Sequence, residues 1–182
     1  MPHLIETDRL DLYLIEFEDL ISLFEDPENQ SIYTDKSYMN PHRVLMDNPG
    51  PLRWRVPSVK EEPALNKWFV RWIVLKATGE IIGSISFHAK PDELGMIEIG
   101  LGIETQFQNN GYGYEALEGM WSWVIIQEGV KTLRYTASAQ NEPSIALIKK
   151  FGFQHVGVQI DEEDGLEEIF EITAEQYRTL RG

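Results

Sequence analysis

Alternating and periodic apolar residues divide most of the chain into short strands and helices. Runs of apolar and β-branched residues, or strict alternation of apolar with polar residues, predict strands with one or both faces buried. The predicted strands are Leu10–Leu14, Trp68–Leu75, Glu80–His88, Ile97–Ile103 and Thr132–Ala137. A further alternating run around Val158 turns at Asp164-Gly165 into a last strand that ends near Ile172, which predicts a terminal hairpin.

Apolar residues at helical spacing predict three helices, which are Glu16–Asp26, a long helix from about Gly111 to Glu128, and Pro143–Phe151. Pro143 fits the first turn of a helix, where its missing N–H costs nothing, and Gly152 fits a left-handed C-terminal cap. This order of elements predicts one domain over residues 1–182. Its fold class is α/β, or more closely α+β: a mixed sheet with helices on its faces.

Residues 27–67 break this regularity, because six of the nine prolines lie there, together with several aromatic and basic residues such as Tyr33, Trp54 and Arg43. Proline fixes φ and removes a backbone donor, so we predict loops with a short helix, folded over one end of the sheet. A long irregular segment inside a domain is usually functional or mobile, so this one is the candidate acceptor side.

The composition excludes several kinds of functional site and argues against several classes of protein. The chain has 182 residues and no cysteine, which excludes disulfides, thiolate metal sites and a cysteine nucleophile. A formal net charge of −14 disfavours binding to nucleic acid or to anionic membranes. No apolar run approaches the roughly 18 residues of a membrane span, and the acidic N-terminus lacks the apolar core of a secretory signal. We therefore expect a cytoplasmic protein without a metal site.

The first candidate site is the segment Gln108-Asn109-Asn110-Gly111-Tyr112-Gly113, between a predicted strand and the long helix. Its glycines let the backbone approach a ligand closely, and the N–H groups at a helix start favour an anion. Such a cradle for a pyrophosphate needs no basic side chain, so the acidic net charge does not argue against it. An isolated G-x-G pattern is equally consistent with a tight turn.

The second candidate site is Asn141-Glu142-Pro143-Ser144, which opens the next helix, although Asn and Ser are also common helix caps. The succession of a strand, Q-x-x-G-x-G, a helix, a strand, and N-x-x-S followed by Gly152-Phe153 resembles the GNAT superfamily of acetyl-CoA-dependent N-acetyltransferases. The opening Glu6-Thr7-Asp8-Arg9-Leu10-Asp11-Leu12 and the run from Gly111 to Leu117 are similar to its ribosomal-protein N-terminal (RimJ/RimL-like) branch.

The resemblance implies the GNAT fold, a mostly antiparallel sheet splayed between two adjacent parallel strands, here Ile97–Ile103 and Thr132–Ala137. It also implies that acetyl-CoA, as co-substrate, enters that opening. The residues implied to contact the pantetheine are Leu101, Gly102, Ile103 and Asn141. Those implied to bind the pyrophosphate through backbone amides are Gln108, Asn109, Asn110, Gly111, Tyr112, Gly113 and Tyr114.

Acetylation of an amine needs a base for the ammonium proton and a group that stabilises the CoA thiolate. Glu98 is the candidate base, because it shares a strand face with two glycines that leave room; His88, near the end of the neighbouring strand, is the reserve candidate. Many GNAT members place a tyrosine seven positions after the motif's Asn, where this chain has Ile148, so the resemblance assigns the thiolate to Ser144. An exposed sheet glutamate, a structural histidine and a capping serine are the alternatives.

These expectations describe an N-acetyltransferase, monomeric or homodimeric, that transfers acetyl from acetyl-CoA directly to a primary amine in a ternary complex. The acceptor is a peptide or protein N-terminus or a small amine. The alternatives are an acyltransferase that uses a longer acyl-CoA, and a module that binds or senses acyl-CoA without catalysis.

Overall fold

The computed structural model describes residues 3–34 and 36–182. Within these residues, the strands are β1 (Leu4–Glu6), β2 (Leu10–Leu14), β3 (Arg71–Leu75), β4 (Ile81–Phe87), β5 (Met96–Ile103), β6 (Thr132–Ser138), β7 (Gln154–Asp161) and β8 (Gly165–Thr173). The helices are α1 (Phe17–Glu25), α2 (Ser31–Thr34), α3 (Leu52–Glu61), α4 (Tyr112–Val124), α5 (Glu142–Lys150) and α6 (Ala174–Arg181), and two 3₁₀ turns are Pro63–Trp68 and Thr105–Phe107.

The strands follow the order β1-β2-β3-β4-β5-β6-β8-β7 in a mixed sheet. The sheet is mostly antiparallel, and β5 and β6 are its parallel pair. The predicted fold class is therefore confirmed, and the parallel pair is formed by the two strands that the family resemblance implies. In the described part of the chain, none of the helices is both long and apolar enough to cross a membrane.

The backbone divides into two compact units, and the first comprises residues 1–88 and 101–120. In it, β1 to β4 form an antiparallel meander. Leu10, Leu12 and Leu14 are buried, as their alternation with polar residues predicts. At Gly83 a Cβ atom would lie 2.2 Å from the carbonyl oxygen of Gly102, so β4 and the end of β5 approach at a distance that glycine alone permits.

Residues 27–67, also in the first unit, are more regular than predicted. They contain α2, the ten-residue α3 and most of the first 3₁₀ turn, and Pro57 lies inside α3. The reason is an apolar stripe at helical spacing, Leu52, Val56 and Val59, which is buried and outweighs the hydrogen bond that Pro57 removes. The prediction of loops with a short helix was therefore only partly right.

The second unit comprises residues 89–100 and 121–182. Residues 96–99 of β5 pair in parallel with residues 132–135 of β6, which pairs antiparallel with β8, and β8 forms a hairpin with β7. Trp121 centres an aromatic cluster in this unit. Its ring neighbours are Tyr135, Phe151, Phe153 and Tyr177.

The predicted helices differ from the observed helices mainly at their ends. The long helix α4 ends at Val124 rather than near Glu128, and a turn with Gly129 at φ +86° follows. Gly152 has a φ of +82°, which confirms the left-handed cap after α5. β1 and α6 were not predicted, although α6 carries a capping box between Thr173 and Gln176, a signal that predicts a helix start.

Candidate active site

The segment Gln108–Tyr114 follows β5 and the second 3₁₀ turn and includes the first residues of α4, and side-chain bonds to nearby backbone carbonyls shape it. Gln108 Nε2 donates to the Ile103 carbonyl at 2.9 Å, and Asn110 Nδ2 donates to the carbonyls of Phe107 and Gln108 at 3.1 and 3.0 Å. Asn109 (φ +64°) and Gly111 (φ +81°) adopt left-handed backbone conformations. These alternating conformations turn the chain into the first turn of α4.

The backbone N–H groups of residues 109–113 lack acceptors among the described residues, since the first bond of the helix runs from Glu115 N to the Gly111 carbonyl at 3.1 Å. Residues 109–111 are exposed, and Tyr112 and Gly113 are half-buried. Successive N–H groups in such a turn form a concave anion site, and the dipole of α4 adds to its positive potential. The segment therefore has the chemistry of a pyrophosphate cradle.

Arg9 braces this cradle. Its Nε lies 2.7 Å from Glu115 Oε2, its backbone N–H donates to Glu115 Oε1 at 2.7 Å, and its Nη1 donates to the Asn110 carbonyl at 2.9 Å. Its guanidinium lies 4.5 Å from the ring centroid of Tyr112, a cation–π distance. Thr7 Oγ1 also donates to Glu115, at 2.6 Å. The start of β2 is thereby tied to the first turn of α4.

Burial raises the pKa of Glu115, but the hydrogen bonds from Thr7 and Arg9 outweigh it and leave this pKa below its ordinary value. The carboxylate is therefore ionised at neutral pH and holds Arg9 in place. Arg9 and Glu115 lie in the two segments that resemble the family, but no role was predicted for either residue. Their spacing of 106 positions leaves no local signal of the contact.

The last residues of β5 also belong to the first unit. Gly102 is exposed, and a Cβ atom added to it would meet nothing within 4 Å, whereas Leu101 and Ile103 are half-buried. An open strand backbone next to the cradle suits a ligand that follows the strand. His88, the reserve base, is exposed directly after β4.

Glu98 lies in the second unit and is half-buried, between the buried Ile97 and Ile99. This confirms the predicted division of the strand into two faces. In the parallel register Glu98 stands next to Arg134, whose Nε and Nη2 both lie 2.7 Å from Glu171 Oε2. Arg134 and Glu171 therefore form a row of charged residues beside Glu98 on the same face of the sheet.

Asn141 and Ser144 lie together at the start of α5. Asn141 Oδ1 accepts from the Ser144 N–H at 3.2 Å. Asn141 is therefore the N-cap of α5, as the alternative interpretation of this residue predicts. The side-chain nitrogen of Asn141 donates to no group in residues 3–34 and 36–182. Ile148, where many family members have tyrosine, is fully buried and contributes to the core.

Ser144 has a second partner, which was not predicted from the sequence. Its Oγ lies 2.6 Å from the phenol oxygen of Tyr135, a buried residue of β6. Tyr135 is the register partner of Ile99, and neighbouring side chains on a strand point to opposite faces. Glu98 and the Tyr135–Ser144 pair therefore lie on opposite faces of the β5–β6 pair.

The comparison with protein families gives a match to the acetyltransferase (GNAT) domain over residues 9–154, most of the chain. This chain belongs to the GNAT acetyltransferase family. The matched range contains the strand–loop–helix that carries the cradle and the start of α5 with Asn141 and Ser144. The chain thus carries an acetyl-CoA-dependent acetyltransferase domain.

Two similar proteins from Bacillus subtilis are named as N-acetyltransferases. The GNAT domain is 34% identical over 88 residues to the uncharacterised N-acetyltransferase YjdG, a match that spans 48% of this chain and about half (52%) of that protein. It is 28% identical over 158 residues to the uncharacterised N-acetyltransferase YoaA, which covers 85% of each chain.

Solved structures share the fold at low sequence identity. The ribosomal-protein-S5-alanine acetyltransferase from Vibrio fischeri superimposes with a TM-score of 0.67 at 15% identity, over 96% of this GNAT domain's chain and 98% of that chain. The microcin C7 self-immunity acetyltransferase MccE, solved in complex with acetyl-CoA and AMP, superimposes with a TM-score of 0.62 at 16% identity. The match covers 92% of this chain and 93% of that chain. The fold neighbours thus include ribosomal-protein acetyltransferases, as the sequence resemblance predicts.

Proposed function

We propose that this GNAT domain transfers the acetyl group of acetyl-CoA directly to a primary amine, without a covalent enzyme intermediate. The observation that carries the proposal is the row of N–H groups without acceptors at residues 109–113, braced by Arg9 at the start of α4. This row suits the two phosphates of the CoA pyrophosphate. Gly111 and the exposed Gly102 leave room for the rest of the donor.

The reaction forms a C–N bond and breaks a C–S bond. An amine is protonated at neutral pH, so a proton must leave the nitrogen before or during its attack on the thioester carbon. Glu98 is the proposed acceptor of that proton, with His88 in reserve. Ser144 is proposed to stabilise the sulfur that leaves with the electron pair of the C–S bond.

An amine acceptor fits the electrostatics of the chain. Residues 92–182 hold sixteen Asp and Glu against six Lys and Arg, so the field of this part of the chain attracts a cation. The proposed acceptor is a peptide or protein N-terminus or a small amine that enters next to residues 27–67. Residues 27–67 carry six Lys and Arg and five Asp and Glu, and so differ in charge from the rest.

The test is an acetylation assay that measures product and not only CoA release. The protein is incubated with acetyl-CoA and a panel of peptides with different first residues, together with small primary amines and polyamines. Mass spectrometry then identifies the acetylated nitrogen. Propionyl-CoA and succinyl-CoA, run in parallel, distinguish acetyl transfer from transfer of a longer acyl group. Saturable acetyl-CoA binding with no acetylated product across the panel contradicts the proposal and favours a module that binds without catalysis.

A further inference from the structure

The hydroxyl groups of Tyr135 and Ser144 form a pair in which the direction of the hydrogen bond can be assigned. Their oxygens are 2.6 Å apart, a short distance for two neutral hydroxyls. The described residues provide no other partner for the Tyr135 phenol. A buried hydroxyl that donates to nothing is costly, so the phenol donates and Ser144 Oγ accepts. The hydroxyl proton of Ser144 is then available for a hydrogen bond to another acceptor.

The pair is held on both sides. Tyr135 is 6% exposed, its ring lies against Trp121 with centroids 6.4 Å apart, and its strand pairs with β5 and β8. Ser144 is held by its backbone N–H, which donates to Asn141 Oδ1. Burial also raises the pKa of Tyr135, so the phenol keeps its proton at neutral pH.

We propose that Tyr135 is a positioning residue that orients the Ser144 hydroxyl towards the departing CoA thiolate. The inference rests on the proposed function, because it specifies how Ser144 performs its step. Tyr135 donates to Ser144 Oγ, and a hydroxyl that accepts a hydrogen bond becomes a better donor. When the C–S bond breaks, the sulfur takes the electron pair and receives a hydrogen bond from Ser144. No proton leaves either hydroxyl, and the thiolate is protonated from solvent after release.

This pairing gives the chain a substitute for the tyrosine that many family members have after the motif. Ile148 occupies that place and is part of the core. The phenol is supplied from β6 instead, and it acts through a serine on the first turn of α5. The serine side chain is smaller than a tyrosine, and its bond to Tyr135 gives it a fixed orientation next to the sulfur.

The test is a double-mutant cycle with Tyr135→Phe, Ser144→Ala and the double variant, and with Tyr177→Phe as a matched control. Tyr177 is a buried tyrosine of the same aromatic cluster, 6.1 Å from Trp121 between ring centroids. We expect Tyr135→Phe to lower kcat about threefold to tenfold with KM for acetyl-CoA unchanged, and to have no further effect once Ser144 is alanine. Additive effects, or an equal loss in Tyr177→Phe, would show a merely structural role and overturn the inference.

A second readout needs no amine acceptor. The pKa of the CoA thiol bound to the protein is measured from the ultraviolet absorbance of its thiolate, for the wild type and the same variants. The inference predicts a lower thiol pKa in the wild type than in free CoA, and a return towards the free value in Tyr135→Phe and Ser144→Ala but not in Tyr177→Phe. An unchanged thiol pKa in Tyr135→Phe overturns the inference even when acetyl transfer is found. A Tyr135-dependent shift without any acetyl transfer would contradict the proposed function alone.

Discussion

Arg9 and Glu115 meet across 106 positions of sequence, with Arg9 Nε 2.7 Å from Glu115 Oε2. The contact joins the start of β2 to the first turn of α4, and the same guanidinium holds the Asn110 carbonyl. Side-chain bonds of this kind fix the carbonyl side of the loop while its N–H groups stay open. The shape of the cradle therefore depends on a residue that lies far outside it in the sequence.

Replacing Arg9 by alanine should weaken acetyl-CoA binding about tenfold, because the loop would lose its brace at Asn110 and become more mobile before binding. Isothermal titration calorimetry with acetyl-CoA measures the change. The matched control is Arg43→Ala, since Arg43 is an exposed arginine whose two ion-pair partners, Glu28 and Asp47, lie outside residues 108–114. Equal affinities for the wild type and Arg9→Ala would show that the brace has no part in binding.

The pH dependence of stability tests the Glu115 contact separately. The folded pKa of Glu115 lies below its ordinary value of 4.5, so the carboxylate stabilises the folded state fully above that value and loses its effect as pH falls through the folded pKa. The difference in Tm between the wild type and Glu115→Gln should be constant from neutral pH to about pH 5.5 and should shrink below about pH 4.5. Thermal melts by circular dichroism measure it. A difference that is unchanged down to the lowest pH at which both proteins fold would contradict this account.

Asn141 has two proposed roles that can be separated by the choice of substitution. Asn141→Asp keeps the oxygen that caps α5 and should leave stability within about 0.5 kcal/mol of the wild type, whereas Asn141→Ala should lose about 1 kcal/mol. If the side-chain nitrogen contacts the pantetheine, both variants should raise KM for acetyl-CoA several-fold. Denaturant unfolding and steady-state kinetics measure the two effects. A normal KM in Asn141→Asp would reduce Asn141 to a helix cap.

Glu98→Gln should lower kcat/KM at neutral pH by about a hundredfold and remove the acidic limb of the pH–rate profile, because the amide cannot accept the ammonium proton. Glu93→Gln is the control, as Glu93 is an exposed glutamate just before β5. The profile is measured with whichever amine the acetylation assay identifies. If Glu98→Gln retains the wild-type rate and pH profile, Glu98 is not the base, and His88→Gln is tested in the same way.

The fold class and the glycine-containing turn before α4 could be predicted from the sequence, because both depend on local signals. The apolar alternation in β2 and the positive φ at Gly111 and Gly152 follow from residue types at short spacing. Tyr135 and Arg9 were missed as site residues because their roles depend on tertiary contacts. Tyr135 reads as a buried strand residue until the turn of α5 brings Ser144 against it. In residues 27–67 the prolines predict mainly loops, but burial of the apolar stripe of α3 stabilises a ten-residue helix there.

The central claim is that residues 108–114 bind the phosphates of acetyl-CoA, and calorimetric titration of the wild type and Gly111→Val with acetyl-CoA, CoA and NAD tests it most directly. Gly111 has a φ of +81° and lies where a Cβ atom would come within 3.3 Å of Arg9 Nη2, so valine should distort the cradle. The account predicts saturable binding of acetyl-CoA and CoA but not NAD to the wild type, and loss of both in a folded Gly111→Val protein. Intact binding in that variant, or no binding by the wild type, would contradict it.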